Sequence, residues 1–558
     1  MYKPLPIGIS DFKEVIEDNY AYVDKTLLIE ELIEKGAKVA LIPRLRRFGK
    51  TLNLSMLRYF FEKGKQETGY LFKDLKIWKN EKYRALQGQF PVIFITLKDV
   101  KHDSWEKTFA SLRELIAAEF ERHSYLLEGN NLTIKEKALY HKIVFGEDGE
   151  TIIEKSLLLL SEWLHRYHSK RVILLIDEYD TPAHAAYIGN YYDTLIGFLR
   201  NWLSAVLKDN VFLERGVLTG ILRIAKESIF SGLNNISTFT ILNETFSDKF
   251  GLLESEVKEL LDHYDLSEKL SDMRKWYNGY RIGSSTNIYN PWSVLNSIAN
   301  RGALAPYWVN TSENALMKKL IAQGTSDFKA DIEQLLKGEF IEMNIDDGVV
   351  FSELQQNPNA LWSLLLYCGY LTLDSAPSYG TPCHLRIPNT EIAELYKSMI
   401  LSWFEQSIHE YKYRLLLSSL TSGDIDTFSQ IFQEFMLSSV SVFDVPSEES
   451  EKIYHGFVLG MLIGLKDRYE VKSNRESGLG RYDVMLIPKT PNELGIVMEF
   501  KKIGRFEKTT LEAAVDSALK QIEDRLYAQE LIDRGVTRIL YIGFGFEGKE
   551  VLIRSKFK

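Results

Sequence analysis

Cysteine is almost missing from this sequence. Cys368 and Cys383 are the only two in 558 residues. Without a CxxC spacing they support neither a disulfide framework nor a zinc site, and buried or incidental thiols in a reducing cytosol are expected. Long apolar runs are missing as well. The longest, such as 172–176 and 361–367, fall far short of the ~20 residues a membrane helix needs. The opening MYKPLPIGISDF has no charged-then-apolar plan of a signal peptide. These absences predict a soluble, cytoplasmic protein with no membrane partner. Basic charge is in deficit, with 68 Lys and Arg against 77 Asp and Glu and a net charge of -9. Such a chain does not coat nucleic acid nonspecifically, so any nucleic-acid contact must be a local basic groove. There is no internal repeat or low-complexity tract, and the 14 prolines and 35 glycines are scattered.

What is present is enough chain for several cores, and a pattern that changes along it. Up to about residue 300, apolar runs at 38–42, 91–96, 171–176 and 212–218 alternate with helical stretches such as 105–123 and 188–207. Continuous apolar runs separated by helices predict a parallel α/β sheet, whose strands are buried on both faces. From about 300 to 440 the pattern is mostly helical, as at 313–323 and 392–413, with a small β element at 370–374 and 384–387. After about 446 the order reads helix (451–465), strands (469–473, 481–487, 495–501), helix (510–530), strand (538–544). That order is αβββαβ.

The first strand runs into Pro43-Arg44-Leu45-Arg46-Arg47-Phe48-Gly49-Lys50-Thr51 and then a helical stretch, 52–62. A strand, a loop ending in Gly-Lys-Thr and a helix is the context of a phosphate-binding loop. Loop amides and the helix dipole favour an anion there. Lys50 would neutralise the β and γ phosphates of a nucleotide, and Thr51 would hold Mg²⁺. The usual signature opens with a glycine where this chain has Arg44, so a side chain must be accommodated where backbone normally approaches phosphate. The run 172–176 ends in Asp177 and Glu178. An acid pair there suits a Mg²⁺ shell and a water-polarising base, or else a solvated strand tip. Thr219 ends the run 212–218, where ligands of open α/β sheets bind. It could sense a γ phosphate or be only a turn residue, and Arg223 and Lys226 behind it could face phosphate or solvent.

In the C-terminal part, Asp483 lies on one strand and Glu499-Phe500-Lys501 on the next. Residues i and i+2 share a strand face, so Glu499 and Lys501 point together. Two carboxylates and a lysine in this order suit metal-assisted phosphodiester cleavage. A salt-bridged strand end is the plain alternative. Glu451 could add a metal ligand from the preceding helix, with His455 one turn on; a solvated helix start is as good a reading. Arg475 and Arg481 could meet a phosphate backbone or pair with Glu476.

Five segments in order, NYAYVDKT (19–26), RRFGKT (46–51), LLIDEYDTP (174–182), SIFSGLNNIS (228–237) and WYNGYRIG with YNPWS (276–293), resemble the predicted AAA-ATPase-like proteins. In that family an Arg-rich loop replaces the glycine-rich opening, so Arg44 fits its pattern. The stretch NRESG…RYD (474–483) with EFK (499–501) resembles the PD-(D/E)XK nuclease superfamily, and Gln521 and Tyr527 resemble the Gln…Tyr element of RecB-like nucleases at wider spacing.

The expected fold class is α/β. It comprises a P-loop parallel-sheet ATPase-like domain (1–300), a mostly helical connector or lid (301–445) and a restriction-endonuclease-like domain (446–558). The expected nucleotide contacts are Arg44, Arg46, Arg47, Phe48, Gly49, Lys50, Thr51 and Thr219. Thr51 and Asp177 are expected to hold metal, with Glu178 as base. At the second site Asp483, Glu499 and Glu451 are expected to hold metal, with Lys501 completing the catalytic set. The cofactors are then ATP and Mg²⁺, with Mn²⁺ a substitute at the nuclease site. The partner is nucleic acid, DNA favoured, and a homo-oligomer is compatible with this. The expected activity is an ATP-gated nuclease, in defence or mobile-element processing. A nucleotide-switched binding module with little or no cleavage is the alternative.

Overall fold

A computed structural model describes the chain except residues 1, 65, 148, 224–228, 231–232, 309–325, 337, 347–356, 377–380, 408–409, 439–457, 459–460, 466, 478–479, 491, 504–508 and 548–549. The chain divides into two compact units. One comprises Met1–Met317 and Phe340–Ile392, the other Lys318–Glu339 and Ala393–Lys558. The stretch 301–445 is therefore shared between them.

The first unit is built on a parallel sheet of β1 (Val39–Pro43), β2 (Val92–Thr96), β3 (Val172–Asp177), β4 (Leu213–Gly220) and β5 (Ile236–Thr238), in the spatial order β2-β3-β4-β1-β5. All four apolar runs of the sequence are strands of this sheet. β1 and β3 are buried along their whole length, as strands covered on both faces must be. The order puts β4 between β1 and β3, so the phosphate-loop strand and the acid-tipped strand flank the strand that ends in Thr219. The expected helix 188–207 begins later, as Tyr192–Leu207, after a shorter helix Thr181–Ile188. The break falls at Gly189-Asn190, where Asn190 takes φ 60°, a left-handed conformation that no helix continues.

Two small antiparallel sheets complete this unit. The sheet of β6 (Leu252–Leu253), β7 (Tyr280–Ile282) and β8 (Ser285–Tyr289) is not legible in the sequence pattern. The sheet of β9 (Ile341–Met343), β10 (Thr372–Leu373) and β11 (Cys383–Arg386) adds β9 to the expected pair.

The second unit carries a mixed sheet of β12 (Tyr469–Ser477), β13 (Gly480–Pro488), β14 (Gly495–Lys502), β15 (Ile539–Glu547) and β16 (Glu550–Phe557), in sequence order. β12, β13 and β14 are antiparallel neighbours, β14 and β15 are parallel, and β16 returns antiparallel along β15. The expected helix 510–530 is two helices, Leu511–Asp524 and Gln529–Asp533, separated at Leu526 with φ 53°. β16 is the unexpected strand. It is exposed at most positions and carries Arg554 and Lys556, the kind of charge that protects a sheet edge and hides an apolar signal. The helix Leu511–Asp524 packs closely on β15: a Cβ on Gly543 would lie 2.8 Å from the Val515 carbonyl oxygen. That close approach aims Gln521 at the neighbouring strand β14.

Candidate functional site

At the C-terminal end of β1 the chain turns through residues 44–49 into the helix Lys50–Phe61. Gly49 takes φ 81° at the helix start, a conformation glycine adopts without steric cost. Lys50 is buried, and its Nζ donates to the carbonyls of Arg44 (3.3 Å) and Leu45 (3.2 Å), spanning the turn. Thr51, on the first turn of the helix, donates its hydroxyl to Asp177 Oδ2 at 2.7 Å. The Thr219 hydroxyl donates to Asp177 Oδ1, also at 2.7 Å, and Thr96, at the end of β2, donates to Oδ2 at 3.3 Å. A fully buried carboxylate is thus held by three hydroxyls from three different elements. Glu178 follows it with φ 50°, half-buried, and accepts from the Thr181 hydroxyl at 3.3 Å. The structure thus gathers Lys50, Thr51, Asp177, Glu178 and Thr219 at one edge of the sheet. Thr96 is an addition, and its signal is the one that pointed to Thr219: a polar residue closing an apolar strand.

The arginines of the loop separate. Arg44 is fully buried. Its Nη1 donates to the carbonyls of Pro43 (2.8 Å) and Phe239 (2.5 Å), and its Nη2 to those of Thr245 (3.1 Å) and Phe246 (3.2 Å). Its amide is spent on the Gly220 carbonyl at 2.9 Å, and burial brings the guanidinium down to about 9. Arg44, expected among the nucleotide contacts, is instead turned into the core: its guanidinium is buried, both Nη atoms and the amide donate to backbone carbonyls, and Nε is buried without a partner. Arg46 is half-buried and Arg47 exposed. The Arg47 guanidinium lies over the Trp292 ring at 4.2 Å. Phe48 packs edge-on against Tyr280 at 5.2 Å, and its carbonyl accepts from the Gly251 amide. The motif segments around 280 and 292 therefore touch the loop, which explains part of their pattern. Arg223 is half-buried, and Lys226 lies outside the described residues.

The second cluster sits on β13 and β14. The Asp483 carboxylate accepts from the Phe500 amide at 2.7 Å, and Lys501 Nζ donates to Glu499 Oε1 at 3.1 Å. Gln521 Nε2 also donates to Glu499 Oε1, and to the Tyr527 hydroxyl at 3.0 Å. Glu499 is 3% exposed, and its Oε2 has no hydrogen-bond partner. Burial, and then the charge of Asp483, push its carboxyl up to about 7 against the pull of Lys501. A buried carboxylate oxygen without a donor is costly, and a divalent cation is the group that such an oxygen beside a second carboxylate fits. Glu451 and His455 lie outside the described residues, as do the side chains of Arg475 and Arg481. Among the described residues no group of three or more His, Cys, Asp and Glu comes together, and no helix is long and apolar enough to cross a membrane.

Two family models match the chain, one over each of the stretches that carry these clusters. The family described as predicted AAA-ATPase matches residues 6–230, and the PD-(D/E)XK nuclease superfamily matches residues 449–556. A protein of Azotobacter chroococcum mcd 1, described as an uncharacterized protein in the vnfD 5' region, is 26% identical over 574 residues, covering 99% of this chain and 98% of its own. Among solved structures, the Aeropyrum pernix ORC2 protein, in ADPNP-ADP complexes, aligns with 67% of this chain and 92% of its own at 9% identity, with a TM-score of 0.22. The chain joins a predicted AAA-ATPase domain to a PD-(D/E)XK nuclease superfamily domain, and is an enzyme of ATPase and nuclease type.

Proposed function

We propose that the chain is an ATP-gated, Mg²⁺-dependent nuclease acting on DNA. In this reading ATP binding or turnover in the first unit controls cleavage in the second. In this reading 1–300 is the ATPase-like part and 446–558 the nuclease part, with the expected connector 301–445 divided between the two units. The observation that carries the reading is the pairing on one chain of Thr51, Thr219 and Thr96 on Asp177 with a buried Glu499 carboxylate that takes Lys501 on one oxygen, feels the charge of Asp483 and has its other oxygen unpartnered.

At the first site Lys50 neutralises the terminal phosphates, and Thr51 and Asp177 hold Mg²⁺. Glu178 would polarise the attacking water, and Thr219, held on Asp177 Oδ1, would be the γ-phosphate sensor of this reading. Arg46, Arg47, Phe48 and Gly49 shape the loop. At the second site Asp483 and Glu499 hold Mg²⁺ or Mn²⁺, and Glu451 is an added ligand in this reading. When bound, the ion supplies charge stabilisation at the scissile phosphate. Lys501, held by Glu499 on the same strand face, offers its ammonium to the phosphate or to the water. Gln521, which also donates to the Tyr527 hydroxyl, holds one Glu499 oxygen, and the other, without a partner, would be left for the ion.

Cleavage of single- and double-stranded DNA and RNA with Mg²⁺ or Mn²⁺, with and without ATP, tests the reading. Asp483→Ala and Glu499→Ala should abolish cutting; undiminished cutting by both would remove the nuclease assignment. The alternative, a nucleotide-switched binding module, drew on a side chain in the phosphate loop at Arg44. That side chain is turned into the core, which favours turnover over mere binding. A cytoplasmic role in defence or mobile-element processing belongs to the same proposal. Phage or plasmid challenge of an expressing strain tests it, and no protection from an active nuclease would count against it.

A further inference from the structure

Asp180 stands where a helix cap is expected. It precedes Thr181-Pro182 at the start of the helix Thr181–Ile188, and an aspartate there ordinarily accepts from the helix's own first amides. It does not: its side chain makes no cap bond. It reaches instead to the turn behind β4, where Oδ2 accepts from the amides of Ile221 (2.9 Å) and Leu222 (2.7 Å). The carboxylate is 3% exposed, and its Oδ1 is buried without a partner. Burying a carboxylate in this way is expensive, and a surface cap would have avoided the cost. Burial pushes the group up to about 6, while the two amides and the nearby charge of Lys50 pull it back.

The same two segments are bonded at every step. Tyr179 donates its amide to the Thr219 carbonyl at 3.0 Å and its hydroxyl to the Leu222 carbonyl at 2.8 Å. Thr219 donates to Asp177. Gly220, between them, accepts from the Arg44 amide at the mouth of the phosphate loop. It has no room for a side chain: a Cβ there would lie 2.4 Å from Asp180 Oδ1. The turn 219–222 is thus the place where the acid-tipped strand, the Thr219 strand and the phosphate loop are joined.

We propose that Asp180 is a positioning residue for ATP hydrolysis. By clamping the Ile221 and Leu222 amides it fixes the end of β4, and so holds Thr219 on Asp177 and registers both against the loop through Gly220. It touches no substrate and acts through that backbone. The inference rests on the ATPase reading of the site and adds a residue to it.

The test uses the full chain. ATP turnover, KM, binding of a fluorescent ATP analogue and melting temperature are measured for Asp180→Ala, Asp180→Asn and Gly220→Ala, with Lys50→Ala alongside. Asp180→Ala should lower kcat about tenfold or more while KM and analogue affinity stay within about threefold, because the phosphate loop itself is untouched. Asp180→Asn keeps an oxygen for both amides and should recover most of the rate. Gly220→Ala presses on the same carboxylate from the other side and should reproduce the loss. If Asp180→Ala does not fold, Gly220→Ala decides by the same criteria of kcat, affinity and melting temperature. Unchanged kcat, a loss of rate and affinity together in step with melting temperature, or an Asn variant no better than Ala would each overturn the assignment. Lys50→Ala separates the two failures. If it leaves turnover intact, the ATPase reading of the site has failed; if it is inactive while Asp180→Ala is normal, only the role of Asp180 has.

Discussion

The Thr51 hydroxyl sits 2.7 Å from Asp177 Oδ2, although their strands are not neighbours: β4 lies between β1 and β3. The contact exists because the loop after β1 carries the helix start across the end of β4. It makes the Thr51 hydroxyl and the Asp177 carboxylate one unit around the expected Mg²⁺. Thr51→Ala should therefore lower ATP turnover by about 100-fold and shift the Mg²⁺ requirement upward, whereas Thr51→Ser should stay within about tenfold of the parent. A phosphate-release assay over a Mg²⁺ titration checks this; an Ala variant with the parent's Mg²⁺ dependence would remove Thr51 from the metal shell.

Arg44 predicts the opposite kind of defect. Its guanidinium serves the carbonyls of Pro43, Phe239, Thr245 and Phe246 and stacks 5.2 Å from the Phe250 ring. Removing it takes a donor from four carbonyls, of which Phe246 keeps the Lys249 amide at 3.4 Å, and empties a buried site, at a cost of about 3–5 kcal/mol. Arg44→Ala should lose that much in urea unfolding. Arg44→Lys should recover little, since an ammonium cannot fork to divergent carbonyls. Analogue affinity of the folded fraction should change less than about threefold. A stable Ala variant with weakened nucleotide binding would return Arg44 to the phosphate site.

These two residues also mark how far the sequence could be read. Strands covered on both faces leave continuous apolar runs, so β1 to β4 were legible, and with them the acidic end of β3 and the Thr219 end of β4, whereas Thr96 at the end of β2 was not singled out. Periodicity likewise put Glu499 and Lys501 on one face. Side-chain direction at a turn leaves no periodic trace. Nothing in Pro-Arg-Leu-Arg-Arg says which arginine turns inward; burial of Arg44 depends on carbonyls at 239, 245 and 246, about two hundred residues away. Asp180 precedes a helix start at Thr181 that the pattern did not show, and its side chain is directed to a turn on another strand. The sheet β6–β8 escaped because its strands are at most five residues long, too short to establish an alternation.

Glu499 gives the nuclease unit a pH signature. Its carboxyl is raised to about 7 by burial and by Asp483, so between the ordinary carboxylate range and 7 the folded chain binds a proton that the unfolded chain does not. The stability this contributes is complete below the ordinary range and is lost as pH rises through 7, amounting to about 3 kcal/mol at most. In EDTA the second unit should melt lower at pH 8 than at pH 6, Glu499→Gln should flatten that difference, and Mg²⁺ should restore the pH 8 value. Below pH 7 a proton competes with the metal, so Mg²⁺ affinity should weaken about tenfold per unit on acidification. Thermal melts of parent and Gln variant across pH check both; parallel curves would place the proton elsewhere.

Arg47 is the loop arginine that remains at the surface, held in a left-handed conformation with φ 66°. Its guanidinium covers the Trp292 ring, whose Nε1 donates to the Tyr307 carbonyl at 3.2 Å, so the ring is anchored by a hydrogen bond of its own. A cation on an indole face at such a site is worth about 0.5–1 kcal/mol, whereas a triphosphate offers the same cation a full opposite charge. Ring and phosphate therefore compete for one group. Saturating ATP should change the emission of Trp292, isolated by difference against Trp292→Phe. Arg47→Ala should abolish that change and weaken ATP binding by about three- to tenfold. Trp292→Ala should act the other way, tightening binding by about two- to fivefold, because the competing contact is gone. If both variants weaken binding, the ring supports the site rather than competing for it; if neither has an effect, Arg47 belongs to the surface and not to the nucleotide.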